Sequence, residues 1–181
     1  DVAIKTYLTV ASEFRKRLQY IEGDNRFKNI NTNGHKLIEL WARKEFKNLS
    51  KAHSVNLPVP KPIAVKQNVL VMDFQGIDGA PFPTLSETEV EESDFEELLN
   101  LITKLYIHSH LVHSDLSEYN VFKNSNDLIL FDFGSAVDVS HPMSNDFLLR
   151  DLTNLCRFFS KRGITTPDAK SIFTEITKND V

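Results

Sequence analysis

The sequence predicts an α+β fold of two lobes, a strand-rich one over residues 1–76 and a helical one over residues 77–181. Three observations carry that expectation. Short apolar runs of strand character cluster in the first lobe around one long amphipathic helix. Gly76, Gly79, Pro81 and Pro83 then break regular structure. Beyond them, two long segments with apolar residues at helical spacing flank a short hairpin pattern.

In chain order, Val2 to Tyr7 reads as a strand with Lys5 on one face and Ile4 on the other. Ser12 to Tyr20 looks helical, and Gly23-Asp24 and Asn29 to Gly34 interrupt it with a polar loop. Leu37, Ile38, Trp41, Phe46 and Leu49 recur near helical spacing and define a helix from about His35 to His53 that carries Glu39 and Glu45. Pro58, Pro60 and Pro62 give an extended entry to strands Ile63 to Val65 and Asn68 to Phe74, joined by a turn at Lys66-Gln67. Val69-Leu70-Val71-Met72 has the unbroken apolar character of a strand buried on both sides.

In the second lobe, Ser93 with Glu96 three residues later reads as the cap of a helix whose buried face is Phe95, Leu98, Ile102 and Leu105. Val121-Phe122 and Leu128 to Phe131 read as strands reversed at Asn124-Ser125-Asn126-Asp127. His141-Pro142 introduces a helix containing Phe147, Leu148, Leu152, Leu155, Phe158 and Phe159. Asp151 in that helix is placed to accept backbone hydrogen bonds from the loop before the hairpin. Pro167 starts a last helix, Ala169 to Thr177, with Asp168 near its positive end.

The chemistry concentrates around that hairpin. Asp115 is followed five residues on by Asn120, and twelve beyond that by Asp132 of Asp132-Phe133-Gly134. A protein-kinase-like fold uses this order to supply a proton acceptor and two magnesium ligands. Phosphoryl transfer from an anionic donor needs divalent cations, and hard Mg²⁺ prefers the carboxylate and amide oxygens that Asp132 and Asn120 offer. The hairpin brings both to one end, and Asp115 lies upstream in a loop where it accepts or orients the proton of an attacking hydroxyl or water. Each residue alone is an ordinary turn or cap residue; the three in order, with strands between, point to a nucleotide-dependent phosphotransferase using ATP and Mg²⁺. Val2-Ala3-Ile4-Lys5 precedes them in the order expected for a strand lysine that contacts the donor phosphates. The backbone from Asp73 to Gln75 is the expected adenine contact, against the plainer reading of an interstrand linker.

Composition bounds the rest. Hydrophobic residues at 41% and charged residues at 25% describe an ordinary soluble protein, and a net charge of −4 supplies no global field for nucleic acid. Arg15, Lys16 and Arg17 are better read as a solvated helix face than as a basic patch. The single Cys156 excludes an internal disulfide and fits a reducing compartment. No stretch approaches the roughly 20 apolar residues of a membrane span, so a cytoplasmic protein without a membrane partner is expected.

These residues resemble the RIO family of atypical protein kinases, and more closely its type I branch. The resemblance is carried by Val2-Ala3-Ile4-Lys5, Tyr20-Ile21-Glu22-Gly23-Asp24, Trp41 through Leu49, Val69 through Gly76, Leu111 through Asn120, and His141-Pro142-Met143 through Phe159 with its Arg150-Asp151-Leu152-Thr153-Asn154. It implies a trimmed protein-kinase-like fold without a long activation segment, in keeping with only sixteen residues between Gly134 and Asp151. It also implies Lys5 on the phosphates, Glu45 as its partner, Asp115 as catalytic base or phosphoacceptor, and Asn120 and Asp132 on magnesium. The implied activity is a serine/threonine kinase or ATPase in small ribosomal subunit maturation, acting on a protein substrate or on itself, with a pre-ribosomal small subunit as partner. The family's phosphate-covering loop, of Ser-Thr-Gly-Lys-Glu type, would precede Lys5, so an incomplete N-terminal lobe is expected. Ser117 replaces the lysine of ordinary kinases, and Ser135 stands where many relatives have Gln.

Three other readings share part of this pattern. A small-molecule phosphotransferase shares the Asp, Asn, Asp order but usually continues in Gly-Asp-Pro, where this chain has Ser140-His141-Pro142. A kinase of the transfer-RNA-modification complex lacks the Arg-Asp and Arg-Phe-Phe helix. A non-catalytic nucleotide-binding scaffold on pre-ribosomes sits poorly with intact Lys5, Asp115, Asn120 and Asp132.

Overall fold

The computed structural model describes residues 1–8, 18–24, 26–27, 34–125 and 127–178. Most of the expected helix Ser12 to Tyr20, most of the loop Asn29 to Gly34, and the Arg15 to Arg17 cluster lie outside them.

Strand β1 (Val2–Thr6) lies antiparallel to β3 (Val69–Asp73), and β2 (Pro62–Lys66) flanks β3 on its other side, giving the order β1-β3-β2. The register pairs Lys5 with Leu70 and Ala3 with Met72, so these four side chains share a face. That face is covered by helix α1 (Gly34–Ser54), which buries Leu37, Ile38, Trp41, Ala42, Leu49 and Ala52. The opposite face is open: Ile4, paired with Val71, is 67% exposed. β3 is therefore not buried on both sides as its apolar run suggested; only Leu70 is fully buried.

The Gly76 to Pro83 stretch is more ordered than a break. Gly76–Ile77 (β4) and Ala80–Pro81 (β5) form a small hairpin. Asp78 (φ 52°) and Gly79 (φ 79°) occupy the left-handed region that a two-residue I′ turn requires.

Helix α2 (Glu92–Ser109) starts at Glu91 rather than at Ser93, which lies inside its first turn. Asp94 Oδ2 accepts the Glu91 backbone N–H at 2.7 Å and is held by Lys123 Nζ at 2.7 Å, so an acidic residue fills the role expected of Glu96. Phe95, Leu98, Ile102 and Leu105 are buried. The chain then forms β6 (Leu111–Val112), the hairpin β7 (Val121–Asn124) with β8 (Asp127–Leu130), and β9 (Val137–Asp138), which pairs with β6. Helix α3 (Ser144–Lys161) and helix α4 (Ala169–Lys178), capped by Asp168 on the Lys170 N–H at 3.1 Å, complete the fold. Phe95 of α2 and Phe159 of α3 pack edge to face at 5.3 Å. Arg162 fastens the end of α3 to the carbonyls of Ser86 and Thr88.

Candidate active site

Helix α3 shapes the loop between β6 and β7. Asp151 is buried, and its two oxygens accept the Ser114 N–H at 2.7 Å and the Leu116 N–H at 3.0 Å. Arg150 donates to the Ser114 carbonyl, and the Leu116 side chain is buried in the core. Both neighbours of Asp115 are thus fixed while Asp115 itself is exposed. Ser114 is held at φ 67°, a conformation that a non-glycine residue adopts only when its surroundings impose it. Desolvation by the loop walls, helped by the charge of Asp132, raises the Asp115 carboxyl above the usual carboxylate range, and Arg150 opposes this. Burial pushes Asp151 up to about 7 against its two N–H donors.

The hairpin does the rest of the positioning. Asn120 Nδ2 donates to the Asp115 carbonyl at 2.8 Å, and the Phe131 N–H donates to the Asn120 carbonyl at 3.1 Å. Asn120 is therefore tied on one side to the Asp115 loop and on the other to the residue before Asp132. Asp132 is also in the left-handed region, at φ 61°.

Lys5 reaches across from β1. Its Nζ lies 3.0 Å from both Glu45 oxygens and 2.8 Å from Asp132 Oδ1. Tyr7 also donates its hydroxyl proton to Glu45, which is fully buried. Burial alone would lower the Lys5 ammonium, but the charges of Glu45 and Asp132 carry it above its ordinary value. Burial works against the Asp132 carboxylate too, and Lys5 brings it below the usual range. For Glu45 burial wins and the carboxyl is raised.

A cavity of about 340 Å³ opens beside these groups, lined by Lys5, Glu45, Met72, Phe122, Phe131 and Asp132 among others. Phe122 and Phe131 stack 3.9 Å apart and only 13° from parallel, presenting a flat apolar surface. Asp73 and Gln75 line the same cavity; the Asp73 N–H is taken by the Lys61 carbonyl and the Gln75 carbonyl by the Phe82 N–H. Asp115 and Asn120 are not part of this lining and adjoin it through Phe131. Among the described residues no group of three or more His, Cys, Asp or Glu side chains gathers as a metal cage. One carboxylate and one amide oxygen suit a hard cation that draws its other ligands from phosphate and water, which is how Mg²⁺ is usually held.

A second layer was not anticipated from the residue order. Lys44 and Asn48 of α1 are fully buried and donate to backbone carbonyls just after Asp132: Lys44 Nζ to Gly134 at 3.0 Å and to Ala136, Asn48 Nδ2 to Phe133 at 2.9 Å and to Ala136 at 2.8 Å. Arg26 donates to Asn48 Oδ1 at 2.8 Å and pairs with buried Asp24 at 2.6 Å. Burial, reinforced by Arg26, lowers Lys44 to about 7, with Asp24 and Glu45 opposing. The available signal was the helix phase, since Lys44 and Asn48 fall three and seven residues after Trp41, on the apolar stripe. His113 is buried with Nε2 3.0 Å from the Phe131 carbonyl, which makes Nε2 the protonated nitrogen, and burial keeps the ring neutral by lowering its pKa.

Fold and site together define a protein-kinase-like domain. The Rio2 kinase of Chaetomium thermophilum, solved as an ADP/Mg²⁺-phosphoaspartate complex, matches 81% of this chain and 48% of its own with a TM-score of 0.63 and 27% identity. The RIO domain model matches residues 1–172. The RIO-type serine/threonine-protein kinase Rio1 of Haloferax volcanii is 40% identical over 99% of this chain, and that of Thermoplasma acidophilum 37% identical over 92%. This chain spans 89% of the Thermoplasma protein, 62% of the Haloferax one and 36% of the Caenorhabditis elegans serine/threonine-protein kinase RIO1. The chain belongs to the RIO family of atypical serine/threonine protein kinases.

Proposed function

We propose that the chain carries an ATP- and Mg²⁺-dependent serine/threonine kinase or ATPase activity that serves small ribosomal subunit maturation. The observation that supports it most is the Lys5 ammonium held between Glu45 and Asp132 at the mouth of a cavity with a flat aromatic wall. In this reading adenine lies against Phe122 and Phe131 and meets the backbone from Asp73 to Gln75, with residues 1–76 and 77–181 as the two lobes. Glu45 aims Lys5 at the donor phosphates. Asn120 and Asp132 hold Mg²⁺, which when bound neutralises the phosphate oxygens and the leaving ADP.

Asp115 accepts the proton of a serine, threonine or water hydroxyl as its oxygen bonds to the γ-phosphorus and the bond to the β-phosphate oxygen breaks, releasing ADP. The raised Asp115 pKa suits a group that must hold that proton. As phosphoacceptor, an Asp115 oxygen itself forms the new P–O bond and water later cleaves the acyl phosphate. The Rio2 kinase complex contains a phosphoaspartate, which favours including this route. The pre-ribosomal small subunit as partner rests on family membership, with self-phosphorylation as the accompanying activity, while the cytoplasmic setting rests on the single cysteine and the lack of a membrane-spanning apolar run in the sequence.

ATP turnover with Asp115→Ala and Asp132→Ala tests the reading. Loss of turnover in both is expected. Undiminished turnover in both removes the assignment, and nucleotide binding without turnover in the unmodified protein selects the scaffold.

A further inference from the structure

Helix α1 is usually credited in such a site with one group, the glutamate that meets the strand lysine. Here its buried side also carries two donors that point the other way, onto the main chain following Asp132. The carbonyls of Phe133, Gly134 and Ala136 all accept hydrogen bonds from Lys44 or Asn48. The turn is compact, since the Ala136 N–H also bonds the Phe133 carbonyl at 3.2 Å. Gly134 packs so closely that a Cβ there would stand 2.7 Å from Trp41 Nε1. No acidic side chain among the described residues is hydrogen-bonded to Lys44; its hydrogen bonds there go to backbone carbonyls, and its Nζ lies over the Trp41 ring, 5.4 Å from the centroid.

We infer that Lys44 and Asn48 are positioning residues for the metal site: they clamp the turn from Phe133 to Ala136 and thereby hold Asp132 in its left-handed conformation, with its carboxylate presented beside Lys5. The clamp extends outward. Asn48 Oδ1 is engaged by Arg26, Arg26 is engaged by Asp24, and the Glu22 carbonyl accepts from His141 Nε2 at 2.8 Å. Asp24 and Arg26 are thus wired to the Asp132 turn through Asn48. A buried amine satisfied by two carbonyls fixes a turn well because any displacement leaves buried polar groups unpaired.

The inference rests on the reading of Asp132 as a metal ligand but does not need turnover to be tested. Two measurements apply to Lys44→Met, which keeps the length of the side chain and removes its donors. The first is hydrogen exchange of residues 131–138 in the nucleotide-free protein. The second is Mn²⁺ binding to the ADP complex, followed by water-proton relaxation. Faster exchange confined to 131–138, an Mn²⁺ affinity reduced about tenfold, and metal-free ADP affinity changed less than about twofold are expected, the scale being that of an outer-layer partner of a metal ligand. Unchanged exchange and Mn²⁺ affinity overturn it, as does a uniform rise in exchange with equal losses for ADP and Mn²⁺. If Lys44→Met does not fold, Asn48→Ala carries the same two measurements with the same outcomes. Wild-type protein without ATP turnover would count against the proposed activity while leaving both readouts interpretable. An Asp132→Ala variant that binds Mn²⁺–ADP normally would instead strike at the ligand assignment itself.

Discussion

Lys5 Nζ stands 2.8 Å from Asp132 Oδ1 and 3.0 Å from Glu45, so one ammonium from β1 joins the α1 glutamate to the aspartate that follows the hairpin. Removing it strips buried Glu45 and Asp132 of the ammonium they share. Lys5→Met is expected to reduce ATP turnover on the order of a hundredfold, the usual scale for deleting one fixed electrostatic group. Steady-state kinetics at saturating Mg²⁺ measures it. Lys5→Arg is expected to restore little, since a planar fork does not reproduce a point charge between two carboxylates.

Asp151 shows how a carboxylate shapes a loop without touching the reaction. Asp151→Asn offers only one acceptor to two backbone donors, leaving either Ser114 or Leu116 facing an amide NH₂. A buried donor stripped of its partner costs about 1–3 kcal/mol. Chemical denaturation is expected to show that loss, and hydrogen exchange at residues 113–117 to rise.

Lys44 gives a pH dependence of defined sign. Its folded pKa of about 7 lies below the 10.5 of an ordinary lysine, so between those values the unfolded chain binds a proton that the folded chain does not. The stability contributed by this group is full above the unfolded pKa and is lost as pH falls through about 7. Relative to Lys44→Met, the unmodified protein is expected to gain stability from pH 7.5 to 9.5, by at most about 1.4 kcal/mol per pH unit. Denaturant midpoints for both proteins across that range measure the difference.

Gly134 is a steric requirement of the same turn. Gly134→Ala places a methyl 2.7 Å from Trp41 Nε1 and 3.3 Å from Glu45 Oε2, so Trp41 or the turn must shift. A loss of about 1–3 kcal/mol is expected from overpacking, read from the denaturation midpoint.

The motif residues were legible because their spacing is local: Asn120 and Asp132 flank a hairpin whose strands and turn are written in adjacent residues, and Asp151 sits on a helix phase that faces the loop. Helix α1 was found within a residue of each end for the same reason. The start of α2 was displaced because Ser93 and Glu96 satisfy a capping pattern equally well on paper. The partner that decides between registers, Lys123 on Asp94, is far along the chain. The β4–β5 hairpin lies where glycine and proline read as breakers of regular structure, although Asp78-Gly79 is itself the turn signal. The partial exposure of β3 depends on what lies against the second face of the sheet, which an apolar run does not record. Lys44 and Asn48 went unread because polar residues on an apolar stripe identify no partner until the main chain they meet is in place.

A structure of the protein bound to a non-hydrolysable ATP analogue and Mg²⁺ examines the convergence of Lys5, Asn120 and Asp132 most directly. The expected result is a metal about 2.1 Å from oxygens of both Asn120 and Asp132, with the triphosphate in contact with Lys5. A nucleotide bound elsewhere, or a metal that meets neither side chain, would contradict it.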